Sequence, residues 1–195
     1  MSGFAEDRPE PYEVALDKAA FLRWVRGREG RYELKDNRIV MITGGSKNHA
    51  RVTQRIAHAL AKQLDPEAWV VTTADLAVDI GPDVRSPDVL VEPLDADGRA
   101  LSTSRPVLIA EVLSPSSIGA HMTTKAGEYL SLGTLQSYLG ASQDDPIVWL
   151  WQRDAQGQFP RVPTEVAGRA ARIEIAGLVL ELALADISRG IGSLT

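Results

Sequence analysis

The chain contains no cysteine. A disulfide framework and a thiolate metal site are therefore excluded, and a reducing, cytoplasmic setting is the expectation. Long apolar runs are missing too: nothing approaches the roughly 18 to 20 residues that span a bilayer, so no membrane association is expected. The opening MSGFAEDRPEPYEVALDK is polar and acidic where a secretory leader would be basic and then apolar. Positive charge is scarce, with 21 Lys and Arg against 26 Asp and Glu, a net charge of -5 and a pI near 5.3. This argues against a nucleic-acid coat protein, whose affinity comes from neutralising phosphates, but permits an enzyme that touches nucleic acid over a small patch. Arg23, Arg26, Arg28 and Arg31, with Lys35 and Arg38 behind them, form the one arginine gathering; it reads as a solvated helix face and turn or as a phosphate-contacting patch. Common catalytic signatures are absent as well: a Gly-rich phosphate loop ending in Lys-Ser/Thr, G-x-S-x-G, H-E-x-x-H, and G-x-G-x-x-G after a strand.

What is present suits one α/β domain. The 195 residues, 44% hydrophobic, are enough for one core, with residues 1–13 as a flexible tail and residues 14–195 as a single domain. Apolar spacing predicts a helix over Leu16–Gly27, a hairpin of Arg31–Leu34 and Arg38–Ile42 about a Lys35-Asp36-Asn37 turn, and a helix from the Ser46 cap to Leu64 with Val52, Ile56, Ala59 and Leu60 inward. His49 lies on the inward side of that helix and His58 on the opposite one, so the two cannot share a metal. Strands are predicted at Trp69–Thr73, Leu76–Ile80, Gln136–Gly140, Ile147–Trp151, Arg172–Ile175 and Leu178–Glu181. A helix over Met122–Leu132 and a helical turn at Ala183–Ile187 complete the pattern. Asp95-Ala96-Asp97-Gly98 is a loop without the ligand pattern of a calcium site. Glu33, taken alone, would be an exposed strand residue.

Two acids stand out in the stretch from Ser86 to Ser117. Asp88 follows Pro87 at the start of one apolar segment, and Glu111 lies within the run Val107–Leu113. Burying an unpaired carboxylate costs several kcal/mol or forces protonation, so such acids usually have a cation or hydrogen-bond donors waiting. On neighbouring strands they could share one hard cation such as Mg²⁺, which takes one or two carboxylates and completes its octahedron with water. A turn cap at Asp88 and a hydrogen-bonded Glu111 are the structural alternative.

Pro87-Asp88 and, 23 positions after Asp88, Glu111-Val112-Leu113 resemble the PD-(D/E)XK nuclease superfamily. The surrounding words resemble one branch of it, the Uma-type family of proposed bacterial restriction endonucleases: Tyr32-Glu33-Leu34, Ser46 with His49, Glu111 to Ser116, and Lys125 with Tyr129, in that order. The resemblance runs from about Asp17 to Ile187 and is strongest between residues 87 and 129. It implies a restriction-endonuclease-like core, a mixed β-sheet flanked by helices, with an N-terminal helix and β-hairpin. It also implies Mg²⁺ or Mn²⁺ on Asp88 and Glu111, with Glu33, His49 and Lys125 in the same catalytic cleft, DNA as substrate, and a homodimer. The superfamily's usual lysine, two positions after the Glu, is Leu113 here, and Lys125 could supply that charge from the next helix. His121 replaces an Asp of the family, and Gly133-Thr134-Leu135-Gln136-Ser137-Tyr138 departs from its Gly-Val-Pro-Glu-Tyr-Trp. Three readings follow: a metal-dependent DNA endonuclease, a catalytically silent nuclease-fold module that binds nucleic acid or a protein partner, or a hydrolase of small phosphate compounds.

Overall fold

The structure, a computed structural model, describes residues 16–94 and 97–191; nothing is described of the side chains of Ala120 and His121. The expected tail and residues 95 and 96 of the expected loop lie outside the described residues.

Helix α1 (Lys18–Val25) starts where the Asp17 side chain accepts the Ala20 N–H at 2.7 Å, closing one of the donors a helix start leaves free. Strands β1 (Arg31–Lys35) and β2 (Arg38–Ile42) pair through a two-residue turn, Asp36-Asn37, with φ of 50° and 63°. Two left-handed residues make the primed turn whose twist matches the strands it joins. Ser46 caps α2 (Lys47–Ala61), whose buried stripe is Val52, Ile56 and Leu60, three of the four positions the spacing predicts; Ala59 is half-buried, and the helix ends at Ala61, short of Leu64. There follow β3 (Trp69–Thr72), β4 (Ala77–Ile80), β5 (Asp83–Arg85), β6 (Val89–Pro93), β7 (Ser102–Thr103) and β8 (Leu108–Leu113). Then come α3 (Ala120–Tyr129), β9 (Ser137–Ser142), β10 (Ile147–Gln152), β11 (Thr164–Ala167), β12 (Arg172–Ile175), β13 (Leu180–Ala183) and α4 (Leu184–Ile187).

The strands form a six-stranded sheet in the order β11-β10-β9-β8-β6-β3, a five-stranded sheet β2-β1-β5-β4-β7, and the pair β12-β13. In the six-stranded sheet only β8 and β9 are parallel, with α3 as the crossover between them; its other pairings are antiparallel. The central strands are covered on both faces, which is why β8 is buried along its whole length. Leu108, Ala110 and Val112 of β8 join the cluster formed with α2, α4 and β12-β13, while Ile109 and Leu113 join the one formed with α3, Tyr129 and Tyr138. A third cluster, Phe21, Leu34, Ile39 and Val84, fastens α1 to the five-stranded sheet. Each fully buried aliphatic side chain here contributes roughly 1.5–3 kcal/mol, which offsets the cost of embedding acids in the same strands.

The sequence-based elements are largely recovered, with four further differences. Helix α3 begins and ends earlier than Met122–Leu132, starting behind Gly119 at φ 98° and ending at the Leu130 cap, so that Leu132 and Leu135 pack as connecting residues. Strand β9 runs on to Ser142 because it pairs with β8 as far as Leu113. Leu178 belongs to a 3-10 turn, Ala176–Leu178, and not to a strand. The short strands β5 and β7 carry too few residues to show a period, and β11, largely exposed at the sheet edge, has no buried face to record one, so all three are visible only through their partners. One feature determines where the cleft forms: the chain leaves the five-stranded sheet at Arg85 and enters the six-stranded one at Val89, so Ser86-Pro87-Asp88 is the seam between the two.

Candidate active site

A cleft of about 560 Å³ opens along this seam, and Asp88, Glu111, Lys125, Glu33 and His49, every residue singled out from the sequence, line it. Each is brought there by a different element. Val89 pairs with Ala110 in the antiparallel β6-β8 ladder, so one step further Asp88 comes opposite Glu111. The Asp88 carboxylate accepts the N–H of Val112, the residue after Glu111, at 2.9 Å. The two acids are 5% and 4% exposed, which places both on the buried side of the cleft.

Each acid has a cation. His49 Nε2 lies 3.1 Å from Asp88 Oδ2, on the same oxygen that takes the Val112 N–H, and Arg31 Nη2 is 3.9 Å from Oδ1. Lys125 Nζ donates to Glu111 Oε1 at 3.0 Å, and the Tyr129 hydroxyl donates to the same oxygen at 2.8 Å. Lys125 and Tyr129 are one helical turn apart on α3 and so share a face. Both donors converge on Oε1, leaving Oε2 outside that pair of hydrogen bonds.

These surroundings set the protonation states. Burial pushes the Glu111 carboxyl up to about 6, Lys125 opposing and the charge of Asp88 reinforcing the rise. Burial acts the same way on Asp88, but the His49 hydrogen bond and charge, the Val112 N–H and Lys125 together outweigh it, holding Asp88 below its ordinary value. The hydrogen bond to Asp88 is the main cause of a raised His49 pKa. For Lys125, desolvation is the largest influence and favours the neutral amine, yet Glu111, Glu33 and Asp88 together raise it above the usual lysine value. Burial raises Tyr129 well above the ordinary phenol range.

Glu33 corrects the expectation of an exposed strand residue: it is 6% exposed, because the pairing of β5 with β1 sets Arg85 and Ser86 against its carboxylate. Its carboxylate accepts the Ser86 N–H at 3.1 Å and faces Arg85 Nη1 at 3.4 Å. Arg85, itself 3% exposed, forks onto Glu128 of α3 with Nε and Nη2 at 2.7 and 2.8 Å. This chain of ions ties hairpin, seam and α3 together beneath the cleft. His49 is held from behind by Gly45, where any Cβ would stand 2.5 Å from the imidazole Cγ. His58 lies outside the cleft, on the far side of α2, as expected. Leu113 packs against α3 and β9, its Cδ1 only 3.0 Å from where a Cβ on Gly140 would be.

Arg31, Arg85, Glu128 and Gly45 are contributors that sequence reasoning did not single out as site residues. Arg31 was visible only as one of a basic group; its Nη2 donates to the Ser86 carbonyl at 3.0 Å and so faces the seam. Arg85 and Glu128 carried no local signal, because their pairing depends on a contact 43 positions apart.

Among the described residues, no three His, Asp or Glu side chains gather as a preformed metal cage. Two adjacent carboxylates facing a water-accessible cleft are nevertheless the oxygen set that a hard divalent cation takes with water completing its shell, and Asp88 Oδ1 and Glu111 Oε2 are the oxygens least engaged by the protein.

The comparisons with known proteins agree with this architecture. Residues 19–185 match the Uma2 family model, described as "Putative restriction endonuclease". The chain is 30% identical over 166 residues to the uncharacterized Synechocystis sp. protein sll1609, covering 83% of this chain and 93% of that one. It is 27% identical over 180 residues to the uncharacterized Synechocystis sp. protein slr1290, covering 90% and 93%. A crystal structure from Anabaena variabilis ATCC 29413, described as "a putative nuclease belonging to DUF820", superposes with a TM-score of 0.71 at 16% identity, covering 88% of this chain and 97% of the other, a likeness that speaks to the fold. No described helix is long and apolar enough to cross a membrane. With the family model spanning the helices and sheets that build the cleft, the chain belongs to the Uma2 family and has the restriction-endonuclease-like α/β fold.

Proposed function

We propose that the protein is a metal-dependent endonuclease that hydrolyses DNA phosphodiester bonds with Mg²⁺ or Mn²⁺, Asp88 and Glu111 being the ligands. The observation that carries this reading is the opposition of two buried acids across β6 and β8 with a lysine on one of them, inside the cleft of a Uma2 family member. When bound, a divalent cation would supply Lewis acidity, lowering the pKa of a bound water and screening the phosphoryl oxygens. The protein's own groups have distinct parts. Lys125 stays protonated, so it acts as a fixed positive charge for the developing charge on phosphorus-bound oxygens, the part left vacant by Leu113. Tyr129 stays a neutral donor and, with Lys125, orients Glu111. His49 orients Asp88, and Arg31 offers a guanidinium to the incoming phosphate at the rim. Glu33 is engaged with Ser86 and Arg85, so its part is to position the seam.

One observation favours a second reading. His49 on Asp88 and Lys125 on Glu111 already balance the charge of the cleft, which is the state expected of a nuclease-fold module that binds nucleic acid without cutting it. Incubating wild-type and Asp88→Ala protein with plasmid, single-stranded DNA and nucleotides, under Mg²⁺, Mn²⁺ or EDTA, separates the readings. Metal-dependent DNA cleavage that vanishes in the variant supports the nuclease. Cleavage confined to nucleotides identifies a small-phosphate hydrolase, and calorimetry showing no metal binding overturns both enzymatic readings.

A further inference from the structure

We infer that the solvent face of α2 is a second nucleic-acid surface, separate from the cleft, which holds a strand by its phosphates. Lys47, Arg51, Arg55, His58 and Lys62 follow one another at spacings of four, four, three and four residues. At 100° per residue they fall within an arc of about 80°, opposite the buried stripe, and extend over about 22 Å of helix. Four of them are exposed and Arg55 is half-buried. The helix KNHARVTQRIAHALA has no acidic residue, although acids outnumber bases in the chain as a whole.

That composition works against the helix. Like charges at i and i+4 destabilise by roughly 0.2–0.5 kcal/mol a pair, and an acid at Gln54 or Ala50 would relieve it. Among the described residues, no carboxylate lies within 4.0 Å of Lys47, Arg51, Arg55 or Lys62. Toward its C-terminal half the face borders a cavity of about 500 Å³, where Arg172 and Arg189 arrive from elements more than a hundred residues further along the chain. Those two are paired with Glu181 and Asp186, so the charge left uncompensated belongs to α2.

The chemistry selects the partner. Ala50, Gln54 and Ala61 flank the basic row on one side, and no large exposed hydrophobic side chain lies on α2. A protein interface needs an apolar core and a membrane-surface helix an apolar face, whereas a line of cations alone matches a phosphate backbone, which is bound by charge without reading sequence. The inference shares with the proposed function only the choice of nucleic acid. The cleft lies about 160° around the helix, on the His49 side.

The test is fluorescence anisotropy with a labelled duplex of about 20 base pairs, in EDTA, over about 50 to 200 mM salt. Wild type is compared with the triple variant Lys47→Ala, Arg51→Ala, Lys62→Ala. Alanine favours helix at all three positions, and circular dichroism checks that the fold is kept. The triple variant should bind at least tenfold more weakly at low salt, with the slope of log K against log salt lowered by roughly 2 to 3. Metal-dependent hydrolysis of bis(p-nitrophenyl) phosphate by the triple variant should match wild type. If neither protein hydrolyses this diester while the binding difference persists, the nuclease reading fails and this one stands. An unchanged slope and affinity in the triple variant overturns it, as does loss of binding only to anionic lipid vesicles in place of DNA.

Discussion

Glu111 concentrates the tension of the site in one side chain. It is buried at the cleft floor, and desolvation outweighs the opposing charge of Lys125, so its carboxyl titrates near 6 when folded, against an ordinary value of 4.5. The folded state therefore binds this proton more tightly than the unfolded chain does, and stability falls as pH rises from about 4.5 to about 6, then stays level with respect to this group. At about 1.4 kcal/mol per pH unit the contribution is about 2 kcal/mol. Glu111→Gln, which cannot ionise, should remove this part of the pH dependence, as urea denaturation in EDTA at pH 4.5, 5.5 and 7 will show. His49 offers a second residue-scale test. Gly45→Ala places a methyl against the imidazole, which must swing away from Asp88. In wild type the ring should titrate above 6.5 by NMR, and in the variant its pKa should fall back toward that value. An unmoved titration would show that Asp88 is not what holds the proton.

At the scale of elements, the Glu33-Arg85-Glu128 chain decides how β1, β5 and α3 sit around the cleft. Arg85 is buried, and removing it takes a shared cation from three carboxylates, Glu33, Asp83 and Glu128. Arg85→Met should cost about 3–5 kcal/mol in urea denaturation, and adding Glu128→Gln should recover part of that loss, because the penalty is an uncompensated buried charge and not a missing contact. This network was illegible beforehand. Glu33 sits in a short strand whose own pattern allows either face; only the Leu34–Val84 pairing brings Arg85 across from it. By contrast α2 was legible at its cap and along most of its stripe, because capping and a 3.6-residue period are local properties, though it stops at Ala61, short of the expected Leu64. Helix α3 was legible as an element but not in its ends, which are set by the left-handed Gly119 and by packing of Leu132 and Leu135.

For the whole molecule, the two larger sheets meet along a seam that is also the cleft, and Val78 and Ile80 of one share a cluster with Leu90 and Ile109 of the other. Shared packing of this kind couples the sheets, so calorimetry should give a single unfolding transition with an enthalpy of roughly 120 kcal/mol near 60 °C, the amount expected for the described residues. Two resolved transitions would show instead that the hairpin sheet with α1 melts on its own cluster. If a divalent cation binds the cleft, that transition should rise with metal concentration by mass action and return on chelation.

Read by itself, the sequence determined which segments become helices or long strands, that Asp88 and Glu111 are costly to place where they are, and which family words surround them. Those properties are local: periodicity, caps, turns, and the desolvation penalty of an acid in an apolar run. Tertiary structure alone decided that Asp88 stands opposite Glu111, that Lys125 and Tyr129 close on one oxygen of Glu111, and that Glu33 is buried against Arg85. Each depends on register between strands or on a helix crossing between parallel strands, and register is chosen by the packing of residues far apart in the chain, where no local period records it.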